Sequence, residues 1–312
     1  YKYKKGSNRE MIITSFEQIK ENMHVNTKRT VAVASAVEDK TLEAVMRAHD
    51  EGLVDYILTG PADEIIATAD KIGRDIDKER IVNTADDQES AAKAVELVRA
   101  GEADFLQKGL LHTSTLLKAV VNRENGLRTG KMMNFVAMFQ TSSYHKLFAI
   151  TDGGMQIAPT LEQKKGIIEN TVELFHSFGV KEPKVACMCA VEEINPKMQE
   201  TVEAAALKEM NITGDIKGCI VEGPISFDLA MIPKTAKVKK FSSPVAGDAD
   251  IILAPGITAG NMLIKSLYTF GGAVMGGVVL GGACPVSMTS RDSSVESRMS
   301  SLLLSCSILQ RK

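Results

Sequence analysis

The chain has 312 residues, 44% of them apolar, with no tryptophan, 5% aromatics and a net charge of −2. That length accommodates two α/β domains or one large one, with a core of Val, Ile, Leu, Ala and Met. The near-neutral charge, with no basic stripe, argues against nucleic acid as a partner. The longest apolar run, residues 271–286, is too short and too glycine-rich for a membrane span.

The first ten residues, YKYKKGSNRE, carry four positive charges and one negative and differ in character from the rest of the chain. They read as an appended leader, and the amphipathic pattern begins at Met11. From there strands and helices alternate. TVAVASA (30–36) is a β-branched run, followed by a helical pattern over 41–51. DYILTG (55–60) is a second strand, with Pro61 at a first helical position and a helix to about Gly73. RIVNT (80–84) and a helix over 88–100 come next, then DFLQKG (104–109) and a helix over 113–121. Four β-α units in succession predict a parallel sheet with helical crossovers.

The pattern changes near Asn125-Gly126. MMNFVAMFQ (132–140) and KLFAITD (146–152) are separated only by a short polar link, which predicts antiparallel pairing. Thr160 and Gln163 have capping-box spacing ahead of a helix to about Phe178. KVACMCA is the next strand, and Asn195-Pro196 is expected to start another helix. GCIVEG (218–223), DIILAP (250–255) and AVMGGVVLG (273–281) complete the strands. Ser293 and Glu296 have capping-box spacing ahead of a last helix to about residue 308. The expectation is two α/β domains: residues 11–130 with about 277–312 returning to them, and residues 131–276. The return places the turn at Ser290 in the cleft between the domains.

The cysteines at 187, 189, 219, 284 and 306 are odd in number and lie in apolar segments, so they read as reduced, buried side chains in a cytoplasmic protein. No metal-ligand spacing, P-loop, GxGxxG or GxSxG motif is present.

Candidate site residues cluster where strands run into turns and then helices, the usual ligand side of an α/β sheet. Ser290 and Arg291 join a hydroxyl, a guanidinium and a helix start, chemistry suited to phosphate. Lys108, His112, Thr113 and Ser114 form a second such turn, as a phosphate site or as ordinary capping beside a surface lysine. Asp152 opens a Gly-Gly turn where a ligand can approach the backbone. Asn261 and Lys265, four apart on one helix, face either the cleft or solvent. Glu222 and Asp228 read as turn or capping residues.

The blocks KGLLHTSTLLKAVV, TDGGMQIAPTLEQK, NPKMQETVEAAAL, SPVAGDADIILAPGITAGN and SMTSRDSSVES together resemble the phosphate acyltransferase family, closest to its phosphate butyryltransferase or branched-chain branch. The resemblance covers nearly the whole chain from Met11. It implies an α/β, two-domain fold of the isocitrate/isopropylmalate-dehydrogenase type with the active site in the cleft. It implies a dimer that exchanges an acyl group between coenzyme A and inorganic phosphate, with no permanently bound cofactor, coenzyme A being a substrate. The family's Ser-Arg pair falls on Ser290 and Arg291. A further phosphate-binding arginine of the acetyltransferase branch falls on Lys118, which keeps the charge but not the bidentate fork. The aspartate proposed in the family as base for the thiol falls on Ser297, which leaves Asp292 and Glu296 as the nearest carboxylates. Two other functions remain for the same blocks: a phosphate acetyltransferase, and a non-catalytic sensor of coenzyme A or acyl phosphate, which the missing aspartate favours. A dehydrogenase of the same fold would need converging acidic metal ligands, and none is spaced for that role.

Overall fold

The computed structural model describes residues 12–23 and 28–310; the leader expected over 1–10 lies outside them. A short helix α1 (Phe16–Asn22) precedes β1 (Arg29–Ala34), α2 (Asp39–Asp50), β2 (Val54–Gly60), α3 (Ala62–Lys71), β3 (Ile81–Asn83), α4 (Asp87–Arg99), β4 (Phe105–Lys108) and α5 (Thr113–Val120). These are the four predicted β-α units, and their strands pair in parallel in the order β3-β2-β1-β4. Pro61 is the N-cap of α3 rather than its first helical residue. Its carbonyl accepts from Ile65 N at 3.0 Å, so its fixed φ starts the helix from one position further out.

The second stretch carries β5 (Asn134–Gln140), β6 (Phe148–Thr151), α6 (Leu161–Ser177), β7 (Lys184–Met188), α7 (Gln199–Thr213), β8 (Ile220–Ile225), α8 (Phe227–Met231), α9 (Pro233–Val238), β9 (Ile251–Leu253), α10 (Ile257–Phe270) and β10 (Val274–Leu280). β5 and β6 pair antiparallel, as the short link between them predicts. Thr160 and Gln163 form the expected capping box at the start of α6. The helix expected at Asn195-Pro196 begins at Gln199 instead. Asn195 Oδ1 accepts from Lys197 N at 3.0 Å, and this side-chain turn occupies the backbone that a helix would have used.

The chain closes with β11 (Val286–Ser287) and α11 (Val295–Leu309). β11 has no counterpart among the strands expected from sequence, because two residues show no periodicity. It pairs in parallel with β4 and antiparallel with β10, and so joins both stretches into one eleven-stranded sheet ordered β3-β2-β1-β4-β11-β10-β5-β6-β9-β7-β8. Residue 277, the expected second crossing, falls inside β10; the chain leaves that strand at Leu280 and reaches β11 at Val286.

α11 packs against α2 on one side and β10 and α6 on the other. Eleven of its fifteen residues are buried, five of them serines. A buried serine needs a partner. Ser300, Ser301 and Ser305 donate to the carbonyls four residues back, and Ser301 Oγ also accepts from Gly277 N in β10 at 2.8 Å. A serine-rich helix can therefore lie in the middle of the molecule and carry its first turn to the ends of the central strands.

Candidate active site

Residues just past the carboxyl ends of β4, β6 and β11 help to wall one cavity of about 340 Å³, together with α10 and the antiparallel strands β5 and β10. Its wall has two chemical sides. Thr113, Thr289, Ser290, Asp292, Ser293 and Lys265 bring hydroxyls and charges; Phe135, Ile264, Met275 and Met288 bring apolar surface. Phe135 is placed by its surroundings: its N–H donates to Asp152 Oδ2 at 3.1 Å. A Cβ on Gly154 or Gly277 would stand 2.7 or 3.0 Å from its ring. Only glycines at those two positions leave the ring where it is.

Of the residues predicted from sequence, Thr113, Asn261, Lys265, Ser290 and Asp292 come together on this wall. Asn261 Nδ2 donates to Gly153 O at 2.9 Å. Ser290 and Arg291 are exposed in the turn between β11 and α11. The Ser290 hydroxyl, with lesser help from Lys265 and Lys40, holds the Asp292 carboxyl below the usual carboxylate range, so it is ionised near neutrality.

Lys108 is only 2% exposed, with Nζ donating to Gly109 O at 3.3 Å. Burial first, and then the nearby Arg298 and Arg291, push its pKa down to about 8, against the pull of Glu38 and Asp87. Neither Lys108 nor Arg291 is among the residues that line the cavity.

Other predicted residues stand apart. His112 is the N-cap residue of α5 but caps with no side-chain bond, and it is exposed together with Ser114 and Lys118; none of the three is on the cavity wall. Asp152 is buried, and its carboxylate accepts from the amides of Phe135, Gly154, Met155 and Gln156. Those four bonds make it the strut of the Gly-Gly turn. Glu296 is 63% exposed, with its carboxylate 3.6 Å from Arg47. The cap expected at Ser293 belongs to Ser294, whose Oγ accepts from Ser297 N at 3.2 Å. Ser293 is left fully buried at the cavity, its hydroxyl without a partner among the described residues. Ser297 is 1% exposed and serves this cap. Glu222 pairs with Lys208 at 2.6 Å, and Asp228 lies 3.6 Å from Lys239, in keeping with local roles.

Arg298 was not among the residues singled out from sequence. It is 1% exposed and ion-paired with Glu38 at 2.8 Å. Its signal was its phase: Ser294, Arg298, Leu302 and Cys306 recur every four residues, which sets a charge on the apolar stripe of α11. All five cysteines are buried and outside any disulfide; burial raises the thiol of Cys189 to about 11 and of Cys219 to about 12, which keeps them protonated. Among the described residues, no helix is long and apolar enough to cross a membrane.

A phosphate acetyl/butaryl transferase family model matches residues 88–306. The phosphate butyryltransferase of Clostridium acetobutylicum is 42% identical over 96% of this chain and all of its own length. The phosphate acetyltransferase of Thermotoga maritima is 41% identical over 89% of this chain and 94% of its own. Among solved structures, a branched-chain phosphotransacylase from Enterococcus faecalis V583 superposes with a TM-score of 0.77 at 34% identity, covering 90% of this chain and 99% of that one. A 4-hydroxythreonine-4-phosphate dehydrogenase from Burkholderia phymatum, 13% identical, shares the fold alone, with a TM-score of 0.53 over 91% of this chain and 99% of that one. The architecture is thus a two-domain α/β fold of dehydrogenase type. The model match spans more than half of the chain and the identity holds over nearly all of it, so the chain belongs to the phosphate acetyl/butaryl transferase family.

Proposed function

We propose that the protein catalyses acyl-CoA + phosphate ⇌ acyl phosphate + CoA, with butyryl or a branched short chain as the acyl group. The observation that carries this reading is the two-sided cavity. Its hydroxyl and cationic side, backed by Arg291 and Lys108, suits phosphate; the side of Phe135, Ile264, Met275 and Met288 suits a short apolar chain. In the acyl-phosphate-consuming direction the thiolate attacks the carbonyl carbon, the C–O bond to phosphate breaks, and phosphate leaves with the electron pair. Arg291 and Lys108 neutralise the charge that gathers on phosphate. Ser290 and the unpartnered Ser293 hydroxyl offer hydrogen bonds to the thiol or to the carbonyl oxygen. A thiol with a reference pKa of about 8.5 needs only weak help to ionise near neutrality. Asp292, ionised and on the wall, is better placed to give that help than Glu296, which faces Arg47.

The same reading makes the protein a cytoplasmic homodimer with no resident cofactor. Five buried cysteines outside any disulfide suit a reducing compartment. Phe270 and Met262 on α10, 87% and 64% exposed, offer apolar surface to a second copy.

The test is phosphate-dependent release of free thiol from acetyl-, butyryl- and isobutyryl-CoA in parallel. Release that requires phosphate and is fastest with butyryl or isobutyryl is expected. Fastest release from the acetyl substrate would replace the acyl assignment. Coenzyme A binding with no release from any substrate would make the protein a sensor, the reading that Ser297 favours.

A further inference from the structure

Arg298 is the largest side chain sealed inside the protein among the described residues. Its Nη1 donates to Thr289 Oγ1 at 3.1 Å and its Nη2 to Glu38 Oε1 at 2.8 Å. The same Nη2 reaches the carbonyl of Arg291 at 3.2 Å and that of Ser290 at 3.4 Å. The next carbonyl along, that of Asp292, is taken by Lys40 Nζ at 3.4 Å. Three successive carbonyls of one turn are therefore held by cations, one standing on α11 and the other on α2. Glu38, the N-cap residue of α2, is steadied in turn by Thr41 Oγ1 at 2.5 Å.

Burying such an ion pair costs more stability than an apolar side chain would at the same place on the stripe of α11. What the arginine adds is geometry. Across a trans peptide the N–H points opposite to the C=O. Gripping the Ser290 and Arg291 carbonyls turns the following amides away from the guanidinium and fixes the direction in which the Arg291 side chain leaves the backbone.

We propose that Arg298 is a positioning residue for acyl transfer: bridged to Glu38, it sets the 289–292 turn so that Ser290 and Arg291 meet phosphate in one geometry, without touching substrate itself. This rests on the reading of the cavity as a phosphate site. Lys108 lies in the same cluster, faced by Arg298 from α11, Arg291 from the turn, Glu38 from the start of α2 and Asp87 from α4.

The test compares Arg298→Met, Arg298→Lys and Glu38→Gln in the full chain by melting temperature, inorganic-phosphate Kd from calorimetry, and turnover. Arg298→Met is expected to stay folded while kcat/KM for phosphate falls about 100-fold, the usual cost of a small misplacement. Its phosphate Kd should rise about tenfold. Arg298→Lys, which keeps a donor but loses the fork, should recover part of both losses. The alkaline limb of kcat/KM should move up in Arg298→Met and down in Glu38→Gln, because each removes a charge that faces Lys108; the phosphate Kd and its partial rescue by Arg298→Lys are the readouts that a purely structural role would not move. A folded Arg298→Met whose phosphate Kd and turnover match those of the unsubstituted protein overturns the proposal. If that variant does not fold, unchanged Kd and turnover in both Arg298→Lys and Glu38→Gln overturn it equally. An unsubstituted protein that binds phosphate but transfers no acyl group removes the proposed function, while the Kd comparison still judges Arg298. One that does neither removes both.

Discussion

Asn261 Nδ2 donates to the carbonyl of Gly153 at 2.9 Å, a bond that ties α10 to the turn after β6 across 108 residues of sequence. The two elements touch backbone to backbone. A Cβ on Gly260 would stand 2.6 Å from Asp152 O and 2.9 Å from Gly153 Cα. Asn261→Ala should raise KM for acyl-CoA about fivefold, for a net loss of roughly 1 kcal/mol. Gly260→Ala should push the helix off the turn and lower stability by about 2 kcal/mol, read by denaturant unfolding. An unchanged KM in the first variant would show that the bond does not shape the cavity.

Arg291 carries the phosphate assignment most directly. Arg291→Ala should lower kcat on the order of 10²-fold with the fold intact, and Arg291→Lys should fall between, keeping charge but not the fork. Near-normal turnover in Arg291→Ala would move phosphate recognition to other residues, Lys265 and the hydroxyls of the wall first among them.

Lys108 is expected to set a pH limit. With a pKa near 8, below the ordinary 10.5 for lysine, it loses its charge as pH rises through 8. In the direction from acyl-CoA to acyl phosphate the thiol is a product, so it adds no limb. The prediction is that kcat/KM falls above pH 8, and that Lys108→Met is slow and lacks this limb. Linkage has the opposite sign for stability. Between about 8 and 10.5 the unfolded chain holds a proton that the folded lysine has lost, so this group makes stability rise with pH in that window. Activity lost while the melting temperature holds would separate titration from unfolding; a flat profile to pH 10 would exclude Lys108.

Phe135 bounds the apolar side of the cavity, where Gly154 and Gly277 hold its ring. Phe135→Leu should enlarge that side and shift the kcat/KM ratio toward a longer acyl chain by about tenfold, the scale of one methylene in a pocket. An unchanged ratio across acetyl-, butyryl- and hexanoyl-CoA would place the acyl chain against another wall.

Far from the cavity, Lys146 is 6% exposed and pairs with Asp250 at 2.6 Å and Asp248 at 3.0 Å. Burial already holds the Asp250 carboxyl above its usual range, against the pull of Lys146. Lys146→Met leaves a buried carboxylate without its cation and should cost about 3 kcal/mol, measured by denaturant unfolding. Turnover at 25 °C should not change.

Local pattern was enough to read the four β-α units, the antiparallel β5–β6 pair and the capping box at Thr160, because each depends on neighbours within a few residues. It also marked Ser290, Thr113, Asn261 and Lys265, since strand-to-helix turns collect polar residues at the open edge of an α/β sheet, while Asp292 was named only through the family resemblance. What it did not contain was direction and burial. Whether Asp152 faces a ligand or four backbone amides, and whether Lys108 lies in solvent or beside two arginines, depends on segments remote in sequence. β11 was invisible at two residues and exists because β4 and β10 flank it. Arg298 reads as an ordinary helical arginine until α11 is packed between α2 and β10; only then does Glu38, 260 residues away, become its partner. Composition and spacing determined which groups gather at the ends of the strands. Packing alone decided which of them reach the cavity and which hold it in shape.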